Sequence, residues 1–217
     1  TGAIQSDGYI VYEHFEGMEG KKLLGCWAHA RRRFFEAKVE NEKLALEALS
    51  YIRRLYDVEA EADALDAADN KPDHERRKAL RQEKAYPEIK KFETWMEASI
   101  LKCPPKSLME EAISYTYKIL KKLSLYVTDG RYKIDNNMVE NSIKPLAIGR
   151  KNYLFCGDDD AAQRAAVVYS LLATCKAHGV NERAWLEDVL RRIPEYEQAG
   201  KDYADLLPGN WRALSAK

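Results

Sequence analysis

Apolar positions recur along this chain with two rhythms, and the change between them divides it. Ala3 to Gly8 (AIQSDG) reads as a short buried strand that ends at an Asp-Gly turn. Tyr9 to Phe15 reads as a short helix, Gly17 and Gly20 break the chain, and Lys22 to Trp27 (KLLGCW) reads as a second strand. A helix follows from about Ala28 (AHARRRFFEAK). Strand, helix, strand, helix in this order predicts an α/β layer over residues 1–40.

From about Asn41 to Asp129 the period becomes helical. Leu44, Ala48, Tyr51, Ile52, Leu55, Val58 and Ala62 recur at steps of three and four. Pro72 marks a break, and Pro87 interrupts or restarts the helix that follows. Ile89, Phe92, Trp95, Met96 and Ile100 then continue the period until Pro104-Pro105. Ser107 to Val127 carries Leu108, Ala112, Tyr115, Ile119, Leu120 and Leu123 on one face, and Asp129-Gly130 is a turn. With no strand signal in 41–129, this block is predicted to be an all-helical insertion folded as a bundle.

Residues 130–160 read as a return to the α/β part. Tyr132 to Ile134 is extended, and a helix from about Met138 is stopped by Pro145. An apolar and aromatic Asn152–Cys156 precedes a Gly-Asp-Asp-Asp turn. Residues 161–217 read as C-terminal helices and a tail. One helix spans Ala161–Ala177 and ends at Gly179. Another is capped by Asn181 and reaches about Ile193, and a loosely packed tail is anchored by Leu206, Leu207 and Trp211. The fold class expected is therefore α/β with predominantly helical content.

Lys and Arg total 35 and Asp and Glu total 35, so no global field draws the chain onto nucleic acid, and any such binding rests on local patches. Cys26, Cys103, Cys156 and Cys175 have no paired spacing and read as reduced thiols. With no signal peptide and no apolar run long enough to span a bilayer, the expectation is a cytoplasmic protein without a membrane partner. The chain opens at Thr1, without Met, directly at a strand, which reads as a fragment with protein missing upstream.

Two acids stand out. Asp7 follows a strand, and Glu140 lies at a helix start ahead of a basic segment. Carboxylates brought together beside basic residues suit a metal-dependent phosphoryl-transfer site. The plainer readings are an ordinary Asp-Gly turn and a capping box, since Glu140 lies three residues after Asn137. Asp135 is the rival to Glu140, otherwise a solvated turn residue. Asp158, Asp159 and Asp160 read as a solvated loop favourable to the next helix dipole.

Cys26 and His29 have a C-x-x-H spacing, but without a second pair Cys26 reads as a buried strand residue. His29, Arg31 and Arg32, beside Arg33, and the pair Arg150-Lys151 are candidate phosphate contacts. Arg76-Arg77-Lys78 and Lys121-Lys122 are interleaved with acids and read as solvated surface. Tyr153 and Phe155 read as packing under the core in preference to stacking on a base.

The stretch IDNNMVENSIKPLAIGRKNYLFCG, together with QSDGY, GCWAHARRRFF, YSLLATCKAHGV and DLLPGNW in that order, resembles the transposases of the insertion sequence 66 family. The resemblance covers most of the chain, least diagnostically in 41–129. It implies a DDE transposase on a ribonuclease H-like core interrupted by the insertion, cytoplasmic and nucleoid-associated in bacteria. In such proteins three acids hold two divalent ions, Mg²⁺ or Mn²⁺, and cut and join DNA ends, with an assembled homo-oligomer expected. Carried over, Asp7 matches the second acid and Glu140 the third, while the first falls upstream of Thr1. Asn141 departs from the Arg that the family often has there. Two alternatives remain: a non-catalytic DNA-binding or self-association module, and a nuclease or resolvase on the same fold.

Overall fold

Two short strands pair in parallel at the N-terminal end of the chain. β1 (Gly2–Gln5) and β2 (Lys21–Leu24) align Gly2 with Lys21 and Gln5 with Leu24. The computed structural model describes residues 2–8 and 10–211, apart from the side chain of Ile10. The Tyr9 end of the first expected helix lies outside them; Ile10–Phe15 forms a 3₁₀ helix. Gly17 and Gly20 both take positive φ, as the reversal before β2 requires. β1 is not the buried strand expected: Gly2 and Ala3 are exposed and Ile4 and Gln5 half-buried.

β2 ends three residues earlier than its apolar run. Gly25 donates its N–H to the Lys122 carbonyl at 3.1 Å. A Cβ on Gly25 would come within 2.9 Å of the Leu123 side chain, so only glycine lets the chain turn there. Cys26 is accordingly the extended residue that precedes a helix, not a strand residue. That helix, α1 (Trp27–Glu36), buries Trp27, Ala30 and Phe34 along one stripe, and the Trp27 indole N–H donates to the Leu123 carbonyl at 3.0 Å.

The helical block builds most of the core. α2 (Glu42–Ala68) starts at Asn41, whose side chain accepts from the Leu44 N–H, and it buries Ala48, Ile52, Leu55, Val58 and Ala62 of the predicted stripe together with Ala45, while Leu44 and Tyr51 are half-buried. α3 (His74–Leu80) runs through one π-helical turn, Arg81–Ala85, into α4 (Tyr86–Ile100). Pro87 comes just after the π turn, so it lies within a continuous run of helix and removes one backbone donor there. α5 (Leu108–Lys118) and α6 (Leu120–Ser124) divide the expected third helix at Ile119. Phe92 is the aromatic centre, with ring centroids of Tyr51, Trp95, Phe34 and Trp27 at 5.3, 5.6, 5.7 and 6.2 Å. One core joins β2, α1, α2, α4, α5 and α6, and it lies within the first of two compact units, Thr1–Met138.

The second unit, Val139–Lys217, is built differently. α7 (Asn137–Tyr153) continues through Pro145, and α9 (Glu182–Ala199) continues through Pro194 to a left-handed Gly200. The first of these helices was expected to stop at Pro145, and the other to reach only about Ile193, ahead of Pro194. Each proline removes one backbone donor, and the flanking turns hold the helix through the gap. α8 (Asp159–Ala177) lies between them, capped by the Asp158 side chain on the Ala161 N–H. The small core is Cys175, Trp185, Val189, Tyr196 and Leu206, with the Trp185 indole donating to the Leu206 carbonyl at 2.9 Å. Trp211 anchors the tail through Asp188 at 2.7 Å, whereas Leu207 is exposed. Tyr153 and Phe155 do not pack under a core: Phe155 is 77% exposed, and Tyr153 meets the Tyr169 hydroxyl at 3.0 Å. The chain is thus mostly helical with a two-stranded sheet.

Candidate functional site

Asp7 stands two residues beyond the C-terminal end of β1, exposed, in the turn expected of Asp-Gly. Gly8 has φ +88 and donates its N–H to the Ser6 hydroxyl at 3.3 Å. The Tyr115 hydroxyl donates to the Asp7 carbonyl at 2.8 Å, so α5 of the helical block fixes the backbone that carries this carboxylate. Burial raises the Tyr115 phenol above its ordinary value and keeps it a donor. Arg33 lies over the same ring at 4.0 Å, so its guanidinium braces this turn.

Gln5 ties the strand end to the chain returning from the helical block. Its carboxamide donates to the Gly25 carbonyl at 3.1 Å and the Lys133 carbonyl at 2.9 Å. The Trp27 N–H adds a bond to the Ile134 carbonyl at 3.2 Å. Tyr132–Ile134 is therefore held by side chains and single backbone bonds and belongs to neither strand. Asp135 follows, and it is not a solvated turn residue. It accepts from the Tyr56 hydroxyl at 2.7 Å, from the Asn137 N–H at 3.1 Å and from the Asn137 carboxamide at 3.0 Å, which starts α7. Burial first, then the Asp135 carboxylate, pushes the Tyr56 phenol far up, so it stays protonated. Through these contacts Asp135 ties the start of α7 to α2.

Glu140 lies in the first turn of α7 and is half-buried. Asp7 belongs to the first unit and Glu140 to the second. His29, half-buried, and Arg31 and Arg32, both exposed, lie on α1 in the first unit. Arg150 and Lys151 are exposed in the last turn of α7. Arg76 and Arg77 are not solvated surface. Arg76 pairs with Asp66 and Asp69, and buried Arg77 pairs with Glu59, Asp63 and Asp66. Lys122 likewise pairs with Glu16 at 2.8 Å.

Burial holds the Cys26 thiol above its ordinary value, which disfavours the thiolate a zinc ligand needs. Among the described residues no three His, Cys, Asp or Glu side chains stand grouped for a metal ion. Asp7 and Glu140 match a hard cation in donor type, oxygen, but they supply two carboxylates. No described helix is long and apolar enough to cross a membrane. Sequence reasoning missed Tyr115 and Tyr56, the two phenols that hold the candidate segments. Tyr115 carried a signal only as a member of the stripe predicted for Ser107 to Val127, and Tyr56 lay outside the stripe predicted for α2.

The model of the Transposase IS66 family matches residues 1–164, and that of the IS66 C-terminal element matches residues 170–208. Among curated proteins, the uncharacterized proteins y4qI and y4hP of Sinorhizobium fredii are 35% and 32% identical to this chain. The alignments cover 98% and 99% of it, and 39% and 40% of those proteins, so the chain spans about two fifths of their length. No solved structure matches.

Proposed function

The chain belongs to the IS66 transposase family, and we propose that it forms part of a DDE-type catalytic region that cuts and joins the DNA ends of an insertion element. The transposase model runs over both Asp7 and Glu140, and that span is the observation carrying the proposal. In this reading β1 and β2 are part of a ribonuclease H-like core, residues 41–129 are its insertion, 130–160 return to the core and 161–217 follow it. The first acid of the triad belongs to sequence upstream of Thr1.

Asp7 and Glu140 would hold Mg²⁺ or Mn²⁺, two ions in the complete site. Bound there, the metal would supply charge stabilisation at the leaving oxygen and a more acidic attacking hydroxyl. The protein's own part is placement. The Tyr115 bond to the Asp7 carbonyl and the Gln5 bonds to the return segment restrict the turn carrying the first carboxylate. His29, Arg31, Arg32, Arg150 and Lys151 would neutralise backbone phosphates of DNA. Joining two ends calls for an assembled homo-oligomer.

A strand-transfer assay on the intact transposase with paired element ends tests this. Asp7→Ala and Glu140→Ala should each abolish joining while leaving the helical circular dichroism unchanged. Full activity of either variant would sink the assignment. Cutting without joining by the unaltered protein would point to a nuclease.

A further inference from the structure

Within the first unit, α1, α2 and the start of α7 border an open cavity of about 380 Å³, lined by Ala28, Arg31, Leu49, Arg53, Tyr56 and Asn137. Its only charged lining groups are the two guanidiniums, which reach it from different helices. Most arginines of this unit are consumed by carboxylates: Arg54 by Glu88, Arg76 and Arg77 by the Asp66 group, Arg81 by Glu59, and Arg131 by Asp129. Arg31 and Arg53 are not among these paired arginines. Asp135, behind the Tyr56 hydroxyl, is occupied by that hydroxyl and by Asn137. The lining itself therefore carries two cations and no carboxylate.

We infer that this cavity is a subsite for a backbone phosphate of DNA, gripped by Arg31 from α1 and Arg53 from the helical block. The inference rests on the transposase reading for its partner, and it makes the insertion part of the DNA-binding surface. Guanidiniums suit a phosphodiester because their donors are planar, permanently charged and weakly hydrated. The volume lies at the lower end of the ~300–1,000 Å³ typical of ligand sites, enough for a phosphate and part of its sugar. Leu49, Arg53 and Tyr56 follow one another at i, i+4 and i+7 of α2, so a single helix face presents the cation, and the phenol is fixed by Asp135. The same α2 face meets α1 through Ala28 and Arg31, three residues apart.

Binding of the 217-residue chain to a fluorescein-labelled duplex of mixed sequence, read by anisotropy in EDTA, tests the subsite without metal or chemistry. Arg53→Ala should weaken binding about three- to tenfold and lower the slope of log K against log salt by about 1. Arg53→Lys should recover part of the affinity. Lys102→Ala, the same charge lost from an exposed turn just after the C-terminal end of α4, should change little. Arg53 is exposed, so each variant should melt as the unaltered chain does. Equal loss in Arg53→Ala and Lys102→Ala overturns the subsite, as does absence of duplex binding by the unaltered chain. Displacement of the duplex by polyglutamate of matched charge, with Arg53→Ala abolishing polyglutamate binding more than duplex binding, would assign the cavity to carboxylates and also overturn it. If Asp7→Ala leaves strand transfer intact while Arg53→Ala still weakens binding, the catalytic reading fails and the subsite stands.

Discussion

Replacing Arg81 with Met removes the most heavily used side chain of the first unit while keeping its volume. Arg81 is fully buried. It donates bidentately to Glu59 at 2.7 and 2.7 Å, and to the carbonyls of Tyr126, Asp129 and Tyr132 at 3.0, 2.9 and 3.0 Å. Those carbonyls belong to the segment that carries the chain back toward Asp135 and α7, so this guanidinium positions the return. Arg81 also opens the π turn between α3 and α4, the kind of helical irregularity that aims a side chain. Removing one partner of a buried ion pair costs about 3–5 kcal/mol. The orphaned carbonyls add roughly 1 kcal/mol or more each, partly relieved by relaxation. Arg77 still donates to Glu59 at 3.2 Å, which limits the loss. The expected net effect is about 4 kcal/mol, a fall in melting temperature of roughly 8–16 °C. Thermal and urea unfolding followed by circular dichroism would measure it. Glu59→Leu combined with Arg81→Met should recover part of the loss, because no carboxylate is then stranded and Arg77 keeps Asp63 and Asp66. A shift below about 1 kcal/mol for the single variant would refute the account of the return segment.

Other expectations follow from single contacts. Arg77 first, then the Asp73 N–H and Arg76, hold the Asp66 carboxyl well below the usual carboxylate range. Its folded value is depressed, so its contribution is present above about pH 4 and lost as pH falls below that. Asp66→Asn should therefore flatten the fall of melting temperature below about pH 4, and an unchanged profile would contradict it. Gly130→Ala places a Cβ 1.9 Å from the His74 carbonyl oxygen and should destabilise the first unit by about 1–3 kcal/mol in urea unfolding. Pro145→Ala should stabilise α7 by up to about 3 kcal/mol and raise helicity, whereas a helix ending at that proline would gain nothing.

The helices that bury a stripe were readable from spacing alone. Asn41 and the run from Ala48 to Ala62 predicted α2 because a long amphipathic period has few alternatives. Pro145 misled because the local cost of an interior proline can be outweighed by the turns on either side, as it also is at Pro194 of α9. The end of β2 was hidden because it depends on Gly25 meeting Leu123, a contact 98 residues apart in the chain (123 − 25). Asp7 and its turn were legible from Asp-Gly. What holds that turn was not, because Tyr115 arrives from the helical block. Asp135 read as solvated for the same reason, its partner Tyr56 lying 79 residues away. Arg53 was one of an Arg-Arg pair, and only the fold separates Arg54, spent on Glu88, from Arg53, which lines a cavity.

The most direct test of the central claim is the separation of the Asp7 and Glu140 carboxylates in a crystal structure of the intact transposase with Mn²⁺ and element-end DNA, the ions located by anomalous scattering. Two-metal sites hold their ions about 3.5–4 Å apart, so the account predicts Asp7 and Glu140 both in the coordination sphere of those ions, within several Å of each other. Carboxylates about 15 Å or more apart, with the ions bound elsewhere, would contradict it.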